Sequence, residues 1–353
     1  MKSPPILSAL LFAAVLAGGC ATQSRAPAEP AAPALAGPYA VLRAAPLDRA
    51  VEERILALDP DHITATDVRD TLARAPTPHI VLVHGGVYPV HLAMASFGRF
   101  LAGMGYPEAK IVDPLDGSWS ISPYESSALI AGLLAWRYEH DGVRPMMIGH
   151  SQGGIQTVKV LHELAGSFGS ELHPYNPYTG TFEAPETIID PLTGRERPIL
   201  GVSIAYASVV GTGGWALALP NHWIVVSRVR EIPDTVSEFV GYRIGLDLFA
   251  WDLPGFEGVK TFYPIGKATV RNVTLPASYS HVFVPVTADL AARPELRAWI
   301  DAFDPDDDTG RANAPDGDTS NLLWAANVWH DIKRHWALEA QRFVRARRAL
   351  PPP

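Results

Sequence analysis

The chain has 353 residues, of which 47% are hydrophobic and 19% charged, and its formal net charge at pH 7 is −8. This length holds one large α/β domain or two smaller ones, with enough apolar residues for a sizeable core. The mildly negative charge, without a basic cluster in the main body, argues against a nucleic-acid partner. A single cysteine, Cys20, excludes an internal disulfide.

Residues 1–19 are expected to be a signal peptide that is not part of the fold. Lys2 gives the segment a positive start, and residues 6–17 are nearly all apolar. Such a run is too short to span a bilayer and is typical of a secretory signal. The segment ends in Leu-Ala-Gly-Gly before Cys20, and this sequence resembles a bacterial lipoprotein signal.

The lipoprotein resemblance implies that Cys20 is lipidated and becomes the mature N-terminus. Because Ala21 rather than Asp follows the cysteine, the resemblance also implies an anchor in the outer membrane of a bacterial cell envelope. A periplasmic or secreted protein cut near Ala21 is the alternative. Residues 20–38 are rich in Ala and Pro, which predicts a flexible tether between the anchor and the following domain.

Residues 39–353 are expected to form a single domain. Helical spacing of apolar residues predicts short helices at 47–58 and 66–73. A continuous apolar run at 80–83 then indicates a buried central strand of a parallel sheet. The glycine-rich loop His84-Gly85-Gly86 follows this strand directly.

Helices and strands alternate in the next part of the chain. The apolar pattern predicts, in order, a helix at 91–103, a strand at 110–113, a helix at 123–140, a strand at 146–148 and a helix over 155–164. This order predicts an α/β fold with a doubly wound, mostly parallel sheet and helices on both faces.

The strand at 146–148 runs into Gly149-His150-Ser151-Gln152-Gly153, which has the Gly-x-Ser-x-Gly form of a nucleophile elbow. Without a Cβ at Gly149 and Gly153, strand and helix can crowd a sharp turn that presents Ser151. The turn also directs the first backbone N–H groups of the helix towards the reaction site. A glycine-rich start of a helix with an ordinary serine is the alternative.

The elbow and the His84-Gly85-Gly86 loop together resemble the α/β-hydrolase superfamily, and within it the bacterial serine esterases and lipases with Gly-His-Ser-Gln-Gly. The resemblance covers residues 78–304. It implies an oxyanion hole made by the backbone N–H groups of Gln152 and Gly86, with His84 orienting the loop. It also implies a catalytic triad in the chain order serine, acid, histidine. Such a triad needs no cofactor and no metal.

The resemblance places the base after the last strand and before a C-terminal helix. His281 fits, because it follows a strand that starts near residue 270 and precedes a helix predicted at 290–303. The acid is expected at the end of the preceding strand, where Asp247 is preferred over Asp252, and either could instead cap a turn. Three other histidines fit the position of the base less well: His222, His330 and His335.

Two segments between the elbow and the acid have open interpretations. Residues 167–198 form an insertion after the nucleophile helix, with a hairpin turn at 190–194, and this insertion is either a lid or a surface loop. Another buried strand is predicted at 199–210. Four apolar residues after it are candidates either for an acyl pocket or for the core: Trp215, Leu217, Leu219 and Trp223.

The tail contains an acidic segment and a long helix. Residues 304–318 are dense in Asp, but the glycine spacing and Pro315 do not match a calcium-binding EF-hand loop. A solvated acidic loop is therefore preferred over a calcium site. Residues 321–350 predict one helix that docks on the domain through Leu, Val, Ile and Trp side chains.

The sequence as a whole predicts a lipid-anchored bacterial serine hydrolase that cleaves small-molecule or lipid carboxylic esters. One alternative is acyl transfer or amide cleavage by the same triad, since the acceptor is selected by the shape of the pocket. Another is a binding or scaffold protein of the cell envelope that keeps the fold without activity.

Overall fold

The computed structural model describes residues 39–251, 261–307 and 321–350. The predictions for the signal peptide, for Cys20 and for the tether therefore lie outside the described residues, as do Asp252 and most of the acidic tail segment. Within the described ranges, no helix is both long enough and apolar enough to cross a membrane.

The described strands and α-helices are numbered here in chain order. The strands are β1 (Ile80–Val83), β2 (Met146–His150), β3 (Tyr175–Asn176), β4 (Thr181–Phe182), β5 (Thr187–Ile189), β6 (Glu196–Pro198), β7 (Ile204–Val210), β8 (Glu231–Ile232), β9 (Val236–Ile244), β10 (Tyr263–Pro264) and β11 (Thr269–Leu275). The α-helices are α1 (Ala40–Ala44), α2 (Arg49–Ala57), α3 (Ala65–Asp70), α4 (Tyr88–Met104), α5 (Ser127–Asp141), α6 (Gln152–Leu164), α7 (Ala288–Ala292), α8 (Pro294–Ala302) and α9 (Leu322–Arg348).

Five of the described strands run parallel and form the central sheet in the order β1-β2-β7-β9-β11. The predicted α/β fold with a mostly parallel sheet is thus confirmed. Strands β1, β2 and β7 are buried along their whole length, as expected for apolar strands covered on both faces. However, β1 is the terminal strand of the sheet and not a central one. Ile121 lies beside it and forms a bridge to Val83.

Helices cover the sheet on its two faces. Successive side chains of a strand point to opposite faces of the sheet, so the residues of β1 belong to two separate apolar clusters. Ile80 and Leu82 lie in the first cluster, and Val81 and Val83 lie in the second. Helices α5 and α6 pack in the second cluster, and α4, α8 and α9 pack in the first.

The last helix, α9, docks on the domain as predicted. Its side chains Trp324, Trp329 and Trp336 are completely buried. Charged residues of α9 also reach the sheet and its connections, with Glu339 paired to Arg144 at 2.6 Å.

One predicted element is wrong, and another is divided into two. No strand forms at 110–113, where a 3₁₀ helix ends at Lys110 and Asp113 Oδ1 then accepts the N–H of Leu115 at 2.7 Å. An aspartate that bonds the backbone two residues later favours a turn, and this outweighs the short apolar run. The helix predicted at 290–303 is divided into α7 and α8 at Pro294, because proline cannot continue a helix.

The insertion at 167–198 packs on α5. It contains two antiparallel hairpins, β3-β4 and β5-β6, the second with the predicted turn at 190–194. Trp136 Nε1 donates to Glu183 at 2.8 Å, and Tyr138 Oη donates to Asp190 at 3.2 Å. Both tryptophan and tyrosine lie in the second half of α5, which leads to the amino end of β2. These contacts are at the opposite end of β2 from Ser151.

Candidate active site

Ser151 lies in a strained turn between β2 and α6. Its backbone has φ 56° and ψ −120°, a conformation that is costly for a residue with a Cβ and that occurs where the surrounding structure enforces it. A methyl group on Gly153 would overlap the carbonyl oxygens of Val83 and His84, and one on Gly149 would overlap the backbone of Gly153. The two glycines are therefore required by the close approach of β1, β2 and α6, as the sequence predicted.

Two short hydrogen bonds connect Ser151, His281 and Asp247. Ser151 Oγ lies 2.8 Å from His281 Nε2, and His281 Nδ1 lies 2.6 Å from Asp247 Oδ2. The three residues follow β2, β11 and β9, so all of them stand at the carboxyl edge of the parallel sheet. The side chains of His281 and Asp247 are 8% and 1% exposed, and little solvent competes for the bond between them.

The environment of Asp247 favours its ionised form. Burial by itself raises the pKa of the carboxyl, but the hydrogen bond and charge of His281 and the backbone N–H groups of Ala250 and Phe249 outweigh it, so the pKa is lowered. The N–H of Phe249 donates to Asp247 Oδ1 at 2.9 Å, and that of Ala250 donates to the same oxygen at 3.0 Å. The carboxylate therefore accepts a hydrogen bond from the N–H of His281 Nδ1, which leaves Nε2 as an acceptor towards Ser151.

The predicted oxyanion-hole residues lie in contact with one another beside Ser151. A methyl group on Gly86 would overlap the side-chain oxygen of Gln152, and one on Gly85 would lie 3.2 Å from Ser151 Cβ. Gln152 is the first residue of α6, where a backbone N–H has no acceptor within the helix. Tyr124 Oη donates to the Gly86 carbonyl at 3.2 Å.

The imidazole of His84 bonds to the backbone of the glycine loop. Its Nδ1 donates to the Gly85 carbonyl at 2.7 Å, and its ring lies edge-on to His91. Burial lowers the pKa of His84. The imidazole is thus a neutral donor to the backbone of the loop.

The other candidate bases have described contacts with residues other than Ser151. His222 is completely buried in the 3₁₀ helix Pro220–Arg228, 3.3 Å from the side-chain nitrogen of Asn221. His335 contacts Glu238 at 3.1 Å in the packing of α9 on the sheet. His330 lines a cavity of about 610 Å³ between α8 and α9.

The sequence did not indicate a role for His150, the residue before the serine. His150 is completely buried, and its Nε2 lies 2.7 Å from the carbonyl oxygen of His281. Burial lowers the pKa of His150 to about 3, and the nearby His281 acts in the same direction. The neutral ring therefore donates from Nε2 to the loop that carries His281. The only signal in the sequence was its place next to Ser151.

Of the four apolar residues after β7, Leu217 packs against a core cluster, whereas Trp215, Leu219 and Trp223 belong to none of the clusters of the described residues. Trp215 and Trp223 are 70% and 65% exposed, and Leu217 and Leu219 are half-buried. Trp215 contacts the ring of Trp251 edge-on at 5.1 Å. Trp215 and Trp223 thus lie at the surface, after the carboxyl end of β7.

One group of potential metal ligands occurs among the described residues. Glu171, His173 and Glu186 bring one ligand atom each within 4.8 Å of the others. They belong to the insertion, and His173 Nδ1 also lies 3.1 Å from the Ala184 carbonyl.

Comparisons of the chain with protein-family models, with curated proteins and with solved structures found no match.

Proposed function

We propose that this protein is a serine hydrolase that cleaves carboxylic esters on an α/β-hydrolase fold. The observation that carries the proposal is the pair of hydrogen bonds from Ser151 Oγ to His281 Nε2 and from His281 Nδ1 to Asp247 Oδ2. A serine hydroxyl is a poor nucleophile until a positioned base takes its proton. The position of Ser151 also supports the proposal. Its strained turn follows the carboxyl end of β2 in the parallel sheet, where α/β-hydrolases have their nucleophile.

The first half of the reaction transfers the acyl group to the enzyme. His281 Nε2 takes the proton of Ser151 as Oγ forms a bond to the ester carbonyl carbon. The carbonyl oxygen becomes an oxyanion, which the backbone N–H groups of Gln152 and Gly86 stabilise, each by about 3 kcal/mol. The ionised Asp247 stabilises the imidazolium. The imidazolium then protonates the alkoxide oxygen, and the alcohol leaves.

The second half releases the acid. His281 takes a proton from water, and the resulting hydroxide attacks the acyl carbon of the Ser151 ester. The intermediate collapses when His281 returns its proton to Ser151 Oγ, which yields the carboxylic acid and the free enzyme. The proposed steps use the side chains of Ser151, His281 and Asp247, two backbone N–H groups and water. With a lipid anchor on Cys20, the enzyme would act in the bacterial cell envelope.

Covalent labelling with a fluorophosphonate, read by intact mass, tests the proposal. We expect one adduct that is lost in Ser151→Ala and strongly slowed in His281→Ala and in Asp247→Asn. The exposed pair His62 and Asp59 has a similar contact, with 2.8 Å between Nδ1 and Oδ2. His62→Ala is therefore a matched control and should label at the wild-type rate. A natively folded protein that gives no adduct would reject the proposal and favour a binding or scaffold role.

A further inference from the structure

The insertion brings two carboxylates and an imidazole together at its surface. We use the name ligand cluster for Glu171, His173 and Glu186, each of which has one ligand atom within 4.8 Å of those of the other two. The two glutamates are exposed and the histidine is half-buried. Carboxylate oxygens and an imidazole nitrogen in this proximity are groups that bind a divalent metal ion. The reaction proposed at Ser151 uses none of the three side chains.

The two carboxylates of the ligand cluster have no cationic side chain paired with them among the described residues. Within the described insertion the ion pair joins Arg197 to Asp190 at 3.6 Å, and it includes neither Glu171 nor Glu186. Two negative charges held this close repel each other. A cation bound between them would replace the repulsion by an attraction to both carboxylates.

A separate contact of His173 prepares one of its ring nitrogens for a metal ion. Nδ1 lies 3.1 Å from the carbonyl oxygen of Ala184. A carbonyl oxygen only accepts hydrogen bonds, so Nδ1 carries the proton of the neutral ring and Nε2 keeps a free lone pair. Metal-ligating histidines typically donate their other N–H to a backbone carbonyl or a carboxylate, which fixes the orientation of the ring. The contact with Ala184 therefore supports ligation through Nε2, independently of the two carboxylates.

Packing fixes the backbone that carries the ligand cluster. Leu172, which precedes His173, is 2% exposed and belongs to the second apolar cluster. A methyl group on Gly132 of α5 would overlap the carbonyl oxygen of His173, so this segment lies directly on the helix. The carbonyl oxygen of Glu186 accepts the N–H of the buried Ile199 at 3.2 Å. The ligands thus need only side-chain rotation to close on an ion, which lowers the entropic cost of binding.

We propose that the ligand cluster binds one divalent transition-metal ion, with Zn²⁺ as the expected ion. Ca²⁺ and Mg²⁺ prefer oxygen ligands alone, whereas an imidazole nitrogen together with carboxylates suits zinc. Zinc bonds to these ligands are about 2.0–2.2 Å long, so the three side chains would draw closer to the ion. Because the site is exposed, water completes the coordination. The bound ion would hold residues 171–173 to residue 186 and so stabilise the insertion.

Isothermal titration calorimetry with Zn²⁺ tests the proposal on the untagged full chain after treatment with EDTA and dialysis. Every protein carries Cys20→Ser, because a cysteine thiolate is also a zinc ligand. We expect one Zn²⁺ per chain and an affinity at least about tenfold lower in His173→Ala and in Glu186→Gln, since even indirect supports of a metal ligand contribute tenfold or more. Co²⁺ should bind at the same site, and its visible absorption should be lost in His173→Ala.

Two matched variants control for the loss of a histidine or a carboxylate elsewhere. His62 is exposed and lies 2.8 Å from the carboxylate of Asp59, and Glu196 belongs to the same insertion, where it accepts the hydroxyl of Thr187 at 2.6 Å. His62→Ala and Glu196→Gln should bind Zn²⁺ with the affinity of the Cys20→Ser parent. Thermal unfolding adds a second measurement. Zn²⁺ should raise the unfolding midpoint of the parent and of both controls, because a ligand that binds only the folded state stabilises it.

The unfolding midpoints also separate metal ligation from an ordinary structural role. Without metal, Glu186→Gln should be at least as stable as the parent, because it removes one of two repelling charges. With Zn²⁺ the order should reverse, since only the parent gains stability from the ion. A parent that binds neither Zn²⁺ nor Co²⁺ would overturn the proposal, as would equal zinc affinities of His173→Ala and His62→Ala. Binding of Ca²⁺ in place of Zn²⁺, unchanged in His173→Ala, would also overturn it.

Discussion

His150 Nε2 donates a hydrogen bond to the carbonyl oxygen of His281 across 2.7 Å. The residue before the nucleophile therefore holds the backbone of the residue proposed as its base. Both rings are enclosed, with 5.2 Å between their centroids. His150 is a positioning residue, since it reaches the reaction only through His281.

Replacing His150 should misplace His281 without removing it. We expect His150→Leu to slow the labelling of Ser151 by about 10-fold to 100-fold, because displacements near 1 Å in a catalytic group have effects of this size. Gln places an amide donor near the same carbonyl, so His150→Gln should recover part of the rate. The measurements are the labelling rate and the pH profile of ester hydrolysis.

A second buried histidine provides the control for His150. His162 is completely buried, and its Nε2 contacts the Glu231 carbonyl at 3.0 Å. His162→Leu should lower the free energy of unfolding but leave the labelling rate per folded molecule unchanged. The positioning role is rejected if His150→Gln is as slow as His150→Leu, or if His162→Leu slows labelling equally.

Gly153→Ala should disrupt the elbow. The added methyl group would overlap the carbonyl oxygens of Val83 and His84, which belong to the backbone and cannot rotate away. Overpacking of this kind costs about 1–3 kcal/mol of stability, and we expect the labelling of Ser151 to be abolished. In Gly103→Ala the new methyl group meets only the side chain of Ala291. This control should be labelled at the wild-type rate. A Gly153→Ala protein that is labelled as fast as wild type would show that the close approach of α6 to the backbone of Val83 and His84 is not needed to position Ser151.

The packing of α9 predicts a large difference between two tryptophans. Trp324 is completely buried, and its ring lies 4.5 Å from that of Phe97 on α4. Trp324→Ala should lower the free energy of unfolding by about 3–5 kcal/mol, because a large cavity forms. Trp215→Ala, at a 70% exposed position, should change it by less than about 0.5 kcal/mol. Urea unfolding measures the free energy of unfolding of both variants. Similar decreases in the two variants would contradict the burial of Trp324 between α9 and α4.

The local features of the site could be read from the sequence, and the long-range ones could not. Gly149, Ser151 and Gly153 are close in sequence, so their spacing already indicates a sharp turn. Asp247 and His281 could be selected only through the chain order that a resemblance to α/β-hydrolases implies. The role of His150 depends on a carbonyl 131 residues away. No local pattern records such a contact.

For the fold, too, the sequence predicted local features but not long-range contacts. Apolar runs predicted β1, β2 and β7 because buried parallel strands need continuous apolar residues. The run at 110–113 failed because Asp113 forms a turn with the backbone of Leu115. The packing of the insertion on α5 could not be predicted from the sequence either, because it depends on contacts such as that between Trp136 and Glu183, which are distant in the chain.

Glu238 should make the protein sensitive to acid. It lies on β9 and contacts Arg271 at 2.8 Å, Arg334 at 2.6 Å and His335 at 3.1 Å. Burial alone raises the pKa of its carboxyl, but the hydrogen bonds and charges of His335 and Arg271 outweigh it and lower the pKa from 4.5 to about 2. The folded protein therefore favours the ionised form more than the unfolded chain does. This contribution is complete above about pH 4.5 and is lost as the pH falls towards 2.

The variant Glu238→Gln removes the charge at every pH. We expect its free energy of unfolding to be about 3 kcal/mol lower than that of wild type at pH 7. The difference should narrow as the pH falls from 4.5 towards 2, because wild type then loses the same charge. Denaturant unfolding at a series of pH values measures the difference. Glu295→Gln, at an exposed pair with Arg293, should have little effect throughout. A difference for Glu238→Gln that stays constant with pH would show that the ionised carboxylate is not what stabilises the contact between β9, β11 and α9.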